Sequence, residues 1–286
     1  MDDLQTRKIT TNIPNLKTKK EDTIMRNRKM TITVLGCIGI FLIAALLLVP
    51  ATQAQAETLN ESTLIYRIYV AYSVDQKAVQ AWLPTPWKAV SVPKGPFKGA
   101  NLYIVFTDKL ITQDGEGKPN KGGTYCLAVL VAFGKNQQTG KIAVFVTRAY
   151  WPYDDLGVYK NAVKATVSRE ATIKGATSES GEGSEVWKVQ DSAGGILEFR
   201  MDYQRAGPKR KKKETIARSS VEPDFFRIYR DDFAEDLVKS IPIGINRVQN
   251  YQFRTTISEL RKMFNGSEKL VGISINPCRV RQAFLP

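Results

Sequence analysis

KIAVFVTRAYWPYDDLGVYKN, residues 141–161, passes from an apolar strand pattern into a turn rich in aromatic and acidic residues. The segment Ile142 to Val146 is typical of a buried strand, because β-branched and aromatic residues dominate it. Trp151 to Asn161 then gathers three aromatic residues, two carboxylates, a glycine and one lysine, Lys160. Functional side chains concentrate on loops that a rigid scaffold holds. The turn is therefore the first candidate for a functional site, and an ordinary solvated turn is the competing interpretation.

Short strand patterns recur along the rest of the chain. Strands are predicted at 64–72, 100–107, 124–133, 141–150, 163–172, 185–190, 196–203, 225–229 and 270–275. Asp75 is predicted to cap a short helix over 76–82, and 258–264 forms a second helical pattern. Because no long helices separate the strands, we predict a mainly β (α+β) fold: one domain in which an antiparallel sheet closes into a barrel or cone with a few short helices.

Composition limits the chemistry that the chain can carry. The sequence has no histidine, so a Ser-His or Cys-His nucleophile pair is impossible. Its three cysteines show no CxxC spacing, and we expect neither a metal site nor a cofactor. Reactive groups must therefore come from carboxylates, lysine, tyrosine or arginine.

The formal charge of +14 includes one basic run, Lys209–Lys213. The run follows Gly207-Pro208, a turn signal, and is predicted to form an exposed loop. It lacks interleaved aromatic residues, so we expect no nucleic-acid partner, and contact with anionic lipid is the alternative to a merely solvated loop.

The N-terminal part resembles a targeting segment. Residues 1–29 are predicted to be a disordered basic N-terminus. Residues 30–56 are predicted to be a signal peptide or a membrane anchor. Here the basic segment Arg26–Lys29 precedes an apolar run that ends at Pro50, and Ala54-Gln55-Ala56 follows as a cleavage signal. Cleavage after Ala56 and retention as an anchor both remain open. Either outcome places the domain of residues 57–286 outside the cytoplasm, in the periplasm or secreted. Pairing of Cys126 with Cys278 in that oxidising space is left open.

Four segments, in order along the chain, resemble the acetoacetate decarboxylase superfamily. They are Tyr69–Pro86, with its strand, short helix and Leu-Pro-Thr-Pro end; Gly123–Leu127; Gly157–Ala162; and Val221–Tyr229. The resemblance implies a cone-like β fold in which a lysine amine condenses with a ketone to form a Schiff base. Such a lysine must be unprotonated to react. The resemblance implies that an apolar pocket or a cationic neighbour lowers its pKa, which is the activation known for acetoacetate decarboxylase itself.

Lys160 matches the Schiff-base lysine of this pattern, and Asp154 stands roughly where the family has a glutamate. The substrate-binding positions fall on Tyr125, Leu127, Ser73, Asn161 and Tyr159. Several of these depart from the family, since a second lysine is replaced by Asn161, a glutamate by Leu127 and an arginine by Ser73.

Three functional hypotheses follow. The first is an exported lyase that forms a Schiff base on Lys160 with a keto acid or another carbonyl compound, either decarboxylating it or carrying out aldol-type chemistry. The second is a non-catalytic module that holds a small apolar ligand, since the departures remove charges that a carboxylate needs. The third is an envelope surface protein that touches the membrane through its N-terminal apolar segment or its basic run. The sequence leaves a homo-oligomer open.

Overall fold

The computed structural model describes residues 57–121, 123–177 and 181–286. The described residues belong to one compact unit. The segments predicted at 1–29 and 30–56 lie outside the described residues. Within the described ranges, no helix is long and apolar enough to cross a membrane.

Strands make up most of the regular structure that is described. Their bounds are β1 Thr58–Ser73, β2 Trp87–Ala89, β3 Leu102–Asp114, β4 Tyr125–Asn136, β5 Ile142–Trp151, β6 Ala162–Lys174, β7 Glu182–Asp191, β8 Ile196–Gln204, β9 Lys209–Ser219, β10 Phe226–Ser240, β11 Ile245–Asn246, β12 Val248–Thr255 and β13 Lys269–Leu285. The mainly β class predicted from the sequence is confirmed, and several strands are longer than their patterns indicated.

The helical segments are short. One α-helix, α1, covers Gln76–Gln80, and Asp75 caps it as predicted by accepting hydrogen bonds from the backbone N–H groups of Lys77 and Ala78. The second predicted helix is reduced to a 3₁₀ turn at Ser258–Leu260.

Seven strands form a closed ring. Around it, β1 pairs with β3, β3 with β4, β4 with β5, β5 with β9, β9 with β10, β10 with β13, and β13 with β1. Every pairing in this ring is antiparallel except β5–β9, which is parallel over Val144 to Val146. Closure leaves these seven strands without a free edge and gives the sheet an inner and an outer face.

A four-stranded arm, β6-β7-β8-β12, extends from the end of β5. The main hydrophobic core lies between this arm and the outer face of the ring. Phe106 of β3 stacks on Trp187 of β7 and on Phe199 of β8, with ring centroids 5.3 Å apart in both pairs. Since successive side chains of a strand point to opposite faces, the residues that alternate with this core line the inside of the ring.

The basic run Lys209–Lys213 is a strand and not the predicted loop. It opens β9 and pairs with β10, where Asp232 forms an ion pair with Arg210 and Glu235 forms one with Lys211. Opposite charges on neighbouring strands allow consecutive basic residues to remain in a sheet. The run is exposed, as expected.

Two further features differ from the sequence expectations. Cys126 and Cys278 are both free, so the pairing left open above is not formed. Strand β12 was not predicted, although its alternation of Tyr251 and Phe253 with polar residues is a strand signal.

Candidate functional site

The turn after β5 is held to the ring by several local hydrogen bonds. The indole N–H of Trp151 donates to the backbone oxygen of Asp155 at 2.9 Å, and the carboxylate of Asp155 accepts from the N–H of Gly157 at 2.8 Å. Gly157 has φ +68°, and a Cβ there would lie 3.0 Å from that of Ala162. The hydroxyl of Ser219 on β9 donates to the backbone oxygen of Tyr159 at 2.7 Å. These contacts fix which side chains of the turn point into the ring.

Lys160 and Asp154, the predicted catalytic pair, both lie on the surface. Lys160 is exposed, has a left-handed backbone (φ 57°) and lies within electrostatic range of Asp155. Asp154 is 83% exposed and forms an ion pair with Lys164 at 2.8 Å. The Lys160 side chain is therefore not enclosed in an apolar pocket. The role of Lys160 in forming a Schiff base stays a prediction.

Three of the predicted substrate-binding residues face the inside of the ring. The Tyr159 hydroxyl lies 2.7 Å from the hydroxyl of Tyr229 on β10. On β4, Tyr125 and Leu127 lie opposite Lys109 and Thr107 of β3, and they share the inner face with them. Their role in substrate binding stays a prediction.

Ser73 and Asn161 have other surroundings. Ser73 is the last residue of β1 and lies opposite Lys269 of β13. Asn161 is buried, and its amide N–H donates to the backbone oxygen of Val146 at 2.6 Å, which ties the turn to β5. Asn161 thus positions the turn.

Three guanidinium groups lie inside the ring within electrostatic range of one carboxylate, that of Asp231. Arg281 donates two hydrogen bonds to Asp231, at 2.7 and 3.0 Å, and Arg279 lies 3.4 Å from the same carboxylate. Tyr69 accepts hydrogen bonds from Arg279 at 2.8 Å and from Arg67 at 3.2 Å. These five residues are called the inner cluster below.

The inner cluster carries more positive than negative charge. Burial would raise the pKa of Asp231, but Arg281, Arg279 and Arg67 outweigh it and lower that pKa. Burial, with repulsion from Arg281 and Arg279, lowers the pKa of Arg67 to about 10. Buried charges normally occur in compensated pairs, so three guanidiniums around one carboxylate favour binding of a further anion.

Several polar groups near the inner cluster make no hydrogen bond within the described protein. They are both amide atoms of Asn276, the hydroxyls of Thr63 and Thr112, and the Nε groups of Arg279 and Arg227, all of them buried. Asn276 lies opposite Arg67, and Thr63 lies opposite both Thr112 and Arg281, so these side chains share the inner face. Buried polar atoms without a protein partner are uncommon, and water, an ion or a polar ligand can satisfy them.

Lys109 supplies a buried amine to the same space. Its side chain is 12% exposed, its Nζ lies 3.0 Å from a carboxylate oxygen of Glu61, and it lies 5.0 Å from the ring centroid of Tyr125. Burial is the main cause that lowers the pKa of Lys109; Arg227 and Arg67 act in the same direction, while Glu61 opposes them. Lowering the pKa of a lysine increases the fraction of neutral amine, which is the nucleophilic form.

Arg148 and Arg169 form ion pairs outside the ring interior. Arg148 binds Glu259 at 2.5 Å, and Arg169 forms a bidentate pair with the fully buried Glu185. Among the described residues, no group of three or more His, Cys, Asp or Glu side chains could hold a metal ion.

The fold is similar to that of several solved structures at low sequence identity. They include the enduracididine biosynthesis enzyme MppR complexed with pyruvate (10% identity, TM-score 0.47, covering 82% of this chain and 91% of that chain). They also include an acetoacetate decarboxylase-like enzyme from Sphingomonas wittichii RW1 (12% identity, TM-score 0.46, covering 83% and 95%). A third is acetoacetate decarboxylase from Legionella pneumophila (10% identity, TM-score 0.43, covering 84% and 90%).

Two of these three structures are described by the name of the superfamily that the sequence resembles. No family model and no curated protein matches the chain. With every one of these TM-scores below 0.5, function has to be inferred from the residues of the chain itself.

Proposed function

We propose that the protein binds a small 2-oxo carboxylate inside the ring and condenses its ketone with the amine of Lys109. The observation that supports this most is the inner cluster, in which Arg279 and Arg281 pair with Asp231, the one carboxylate of the cluster, while Arg67 bonds to Tyr69 instead. A ligand carboxylate would supply the missing negative charge. Guanidinium groups suit this role because their planar N–H groups match the two oxygens of a carboxylate.

Lys109 is the amine best suited to the reaction. It is enclosed, it lies on the same inner face of β3 as Thr107, and Thr107 accepts a hydrogen bond from Arg67 at 3.0 Å. In the proposed step the neutral amine attacks the carbonyl carbon, the carbonyl oxygen leaves as water, and an iminium forms. Glu61, bonded to the same amine, is placed to take the proton that the ammonium loses first.

The geometry favours chemistry that retains the substrate carboxylate. Loss of carbon dioxide withdraws charge from the carboxylate, so guanidiniums that bind this group stabilise the ground state more than the transition state for decarboxylation. Condensation and proton transfer at the ketone carbon do not remove that charge. We therefore propose imine and enamine chemistry of the aldol type ahead of decarboxylation.

The other hypotheses have less support in the inner face. A module for an apolar ligand would not need a set of buried guanidiniums and unpaired polar atoms there. An envelope role through Lys209–Lys213 concerns the outer surface, and the same is true of Lys160, which is exposed. We retain export through residues 30–56 as part of the proposal, on the signal pattern of the sequence alone.

Borohydride trapping tests the proposal. The protein comprising residues 57–286 is incubated with pyruvate, reduced, digested and mapped by mass spectrometry, beside the variants Lys109→Met and Lys160→Met. We expect a reduced pyruvate adduct on Lys109 that persists in Lys160→Met and is lost in Lys109→Met. An adduct on Lys160 that survives Lys109→Met would restore the site predicted from the sequence. No adduct on either lysine, across a panel of 2-oxo acids, would overturn the proposed chemistry.

A further inference from the structure

The phenol of Tyr69 is held between two guanidinium groups. Its oxygen lies 2.8 Å from Nη1 of Arg279 and 3.2 Å from Nη1 of Arg67. Both neighbouring groups also lie near its ring, at 5.4 and 5.7 Å from the centroid. Because a guanidinium can only donate, both hydrogen bonds favour an oxygen that has lost its proton.

Titratable side chains from four strands surround Tyr69. Arg67 lies on β1, Arg279 and Arg281 on β13, and Asp231 on β10; the ring of Tyr103 on β3 packs edge-on against Tyr69, with centroids 6.4 Å apart. Asp231 is the acid in this set, so the guanidiniums dominate. Burial alone would raise the pKa of Tyr69, but Arg279, Arg67 and Arg281 outweigh it and lower the pKa to about 7.

We propose that Tyr69 is the acid–base group of the ring interior, where its tyrosinate removes a proton from the carbon next to the imine and later returns it. This inference rests on the proposed function, since the imine on Lys109 acidifies that carbon. In the step, the C–H bond breaks and the O–H bond of Tyr69 forms. The electron pair moves into a new C=C bond and the iminium becomes a neutral enamine, so no oxidant or reductant is needed.

No histidine competes with Tyr69 for this acid–base role. Histidine is the side chain that usually exchanges protons near neutral pH, and the sequence contains none. A tyrosine beside Arg67 and Arg279 supplies a base in the same pH range, and its position among the carboxylate-binding groups places it next to a bound 2-oxo acid.

Ultraviolet difference titration tests the ionisation of Tyr69 without any substrate. We expect one tyrosine of the native protein to ionise near pH 7, and this step to be lost in Tyr69→Phe and retained in Tyr103→Phe. Superimposable titration curves for the native protein and Tyr69→Phe would overturn the inference.

Proton exchange of the pyruvate methyl group in heavy water, followed by NMR, tests the catalytic role. We expect Tyr69→Phe to slow this exchange by about 100-fold or more, the range known for general acid–base groups, while borohydride still traps pyruvate on Lys109. Trapping in both proteins with equal exchange rates would refute the role of Tyr69 and leave the proposed function intact. Absence of trapping in the native protein would instead refute the proposed function, and the inference would fall with it.

Discussion

Replacing Asp231 with asparagine removes the carboxylate from the inner cluster and keeps the shape of the side chain. The Asp231 side chain is only 2% exposed, and those of Arg279 and Arg281 are 5% and 14% exposed. Solvent therefore cannot compensate the guanidinium charges that remain. Breaking a buried ion pair by removing one partner costs about 3–5 kcal/mol, and we expect Asp231→Asn to lose stability in this range.

Asp232→Asn is the matched control for this change. It is the next residue of β10, its side chain is 31% exposed, and it pairs with Arg210 on the outer surface. Urea unfolding of both variants at pH 7.5 gives the midpoint and the m-value, and an unchanged m-value attributes the midpoint shift to stability. We expect a large shift for Asp231→Asn and a small one for Asp232→Asn. Equal small shifts would refute the argument that the inner cluster is electrostatically uncompensated.

Three further changes test the fold and its pH dependence. Asp75→Ala should cost about 1 kcal/mol, measured by urea unfolding, because it removes the cap of α1; no loss would contradict the capping. Trp187→Ala should cost about 3–5 kcal/mol because Trp187 is fully buried between the ring and the arm, and Trp187→Phe should recover much of the loss. The pKa of Tyr69 in the folded protein, about 7, lies below its ordinary value of 10. Ionisation of Tyr69 therefore stabilises the folded state fully above pH 10, and this stabilisation is lost as the pH falls to 7. The native protein should therefore gain stability over Tyr69→Phe by up to about 1.4 kcal/mol per pH unit between these limits; a pH-independent difference would contradict the lowered pKa.

The fold class could be predicted because most strands carry their own local signal. Alternation, β-branched residues and Gly-containing turns are properties of short segments, and they located most of the ring. The basic run Lys209–Lys213 was wrongly predicted to be a loop because its strand depends on acidic residues of β10, which are distant in the sequence. Pairing between strands is a tertiary effect that overrides local propensity.

The candidate site could be predicted only in part for the same reason. Tyr125, Leu127 and Tyr159 were predicted to bind substrate and lie on the inner face, where that role stays a prediction, whereas the inner cluster was missed. A signal was present, since Arg67 and Tyr69 alternate with apolar residues of β1 just as Arg279 and Arg281 flank Val280 of β13. Such alternation shows that one face of a strand is polar, but only ring closure brings the polar faces of β1, β10 and β13 together.

Calorimetric titration with pyruvate tests most directly whether the inner cluster binds a carboxylate. Arg67→Met removes a guanidinium that does not bond to Asp231, and Arg230→Met removes an exposed arginine of β10 as a control. A hydrogen bond to a charged group contributes about 1.5–3 kcal/mol, so Arg67→Met should weaken pyruvate binding about tenfold or more. Arg230→Met should bind pyruvate as the native protein does. Equal affinity in all three proteins, or no binding to the native protein, would contradict a carboxylate site inside the ring.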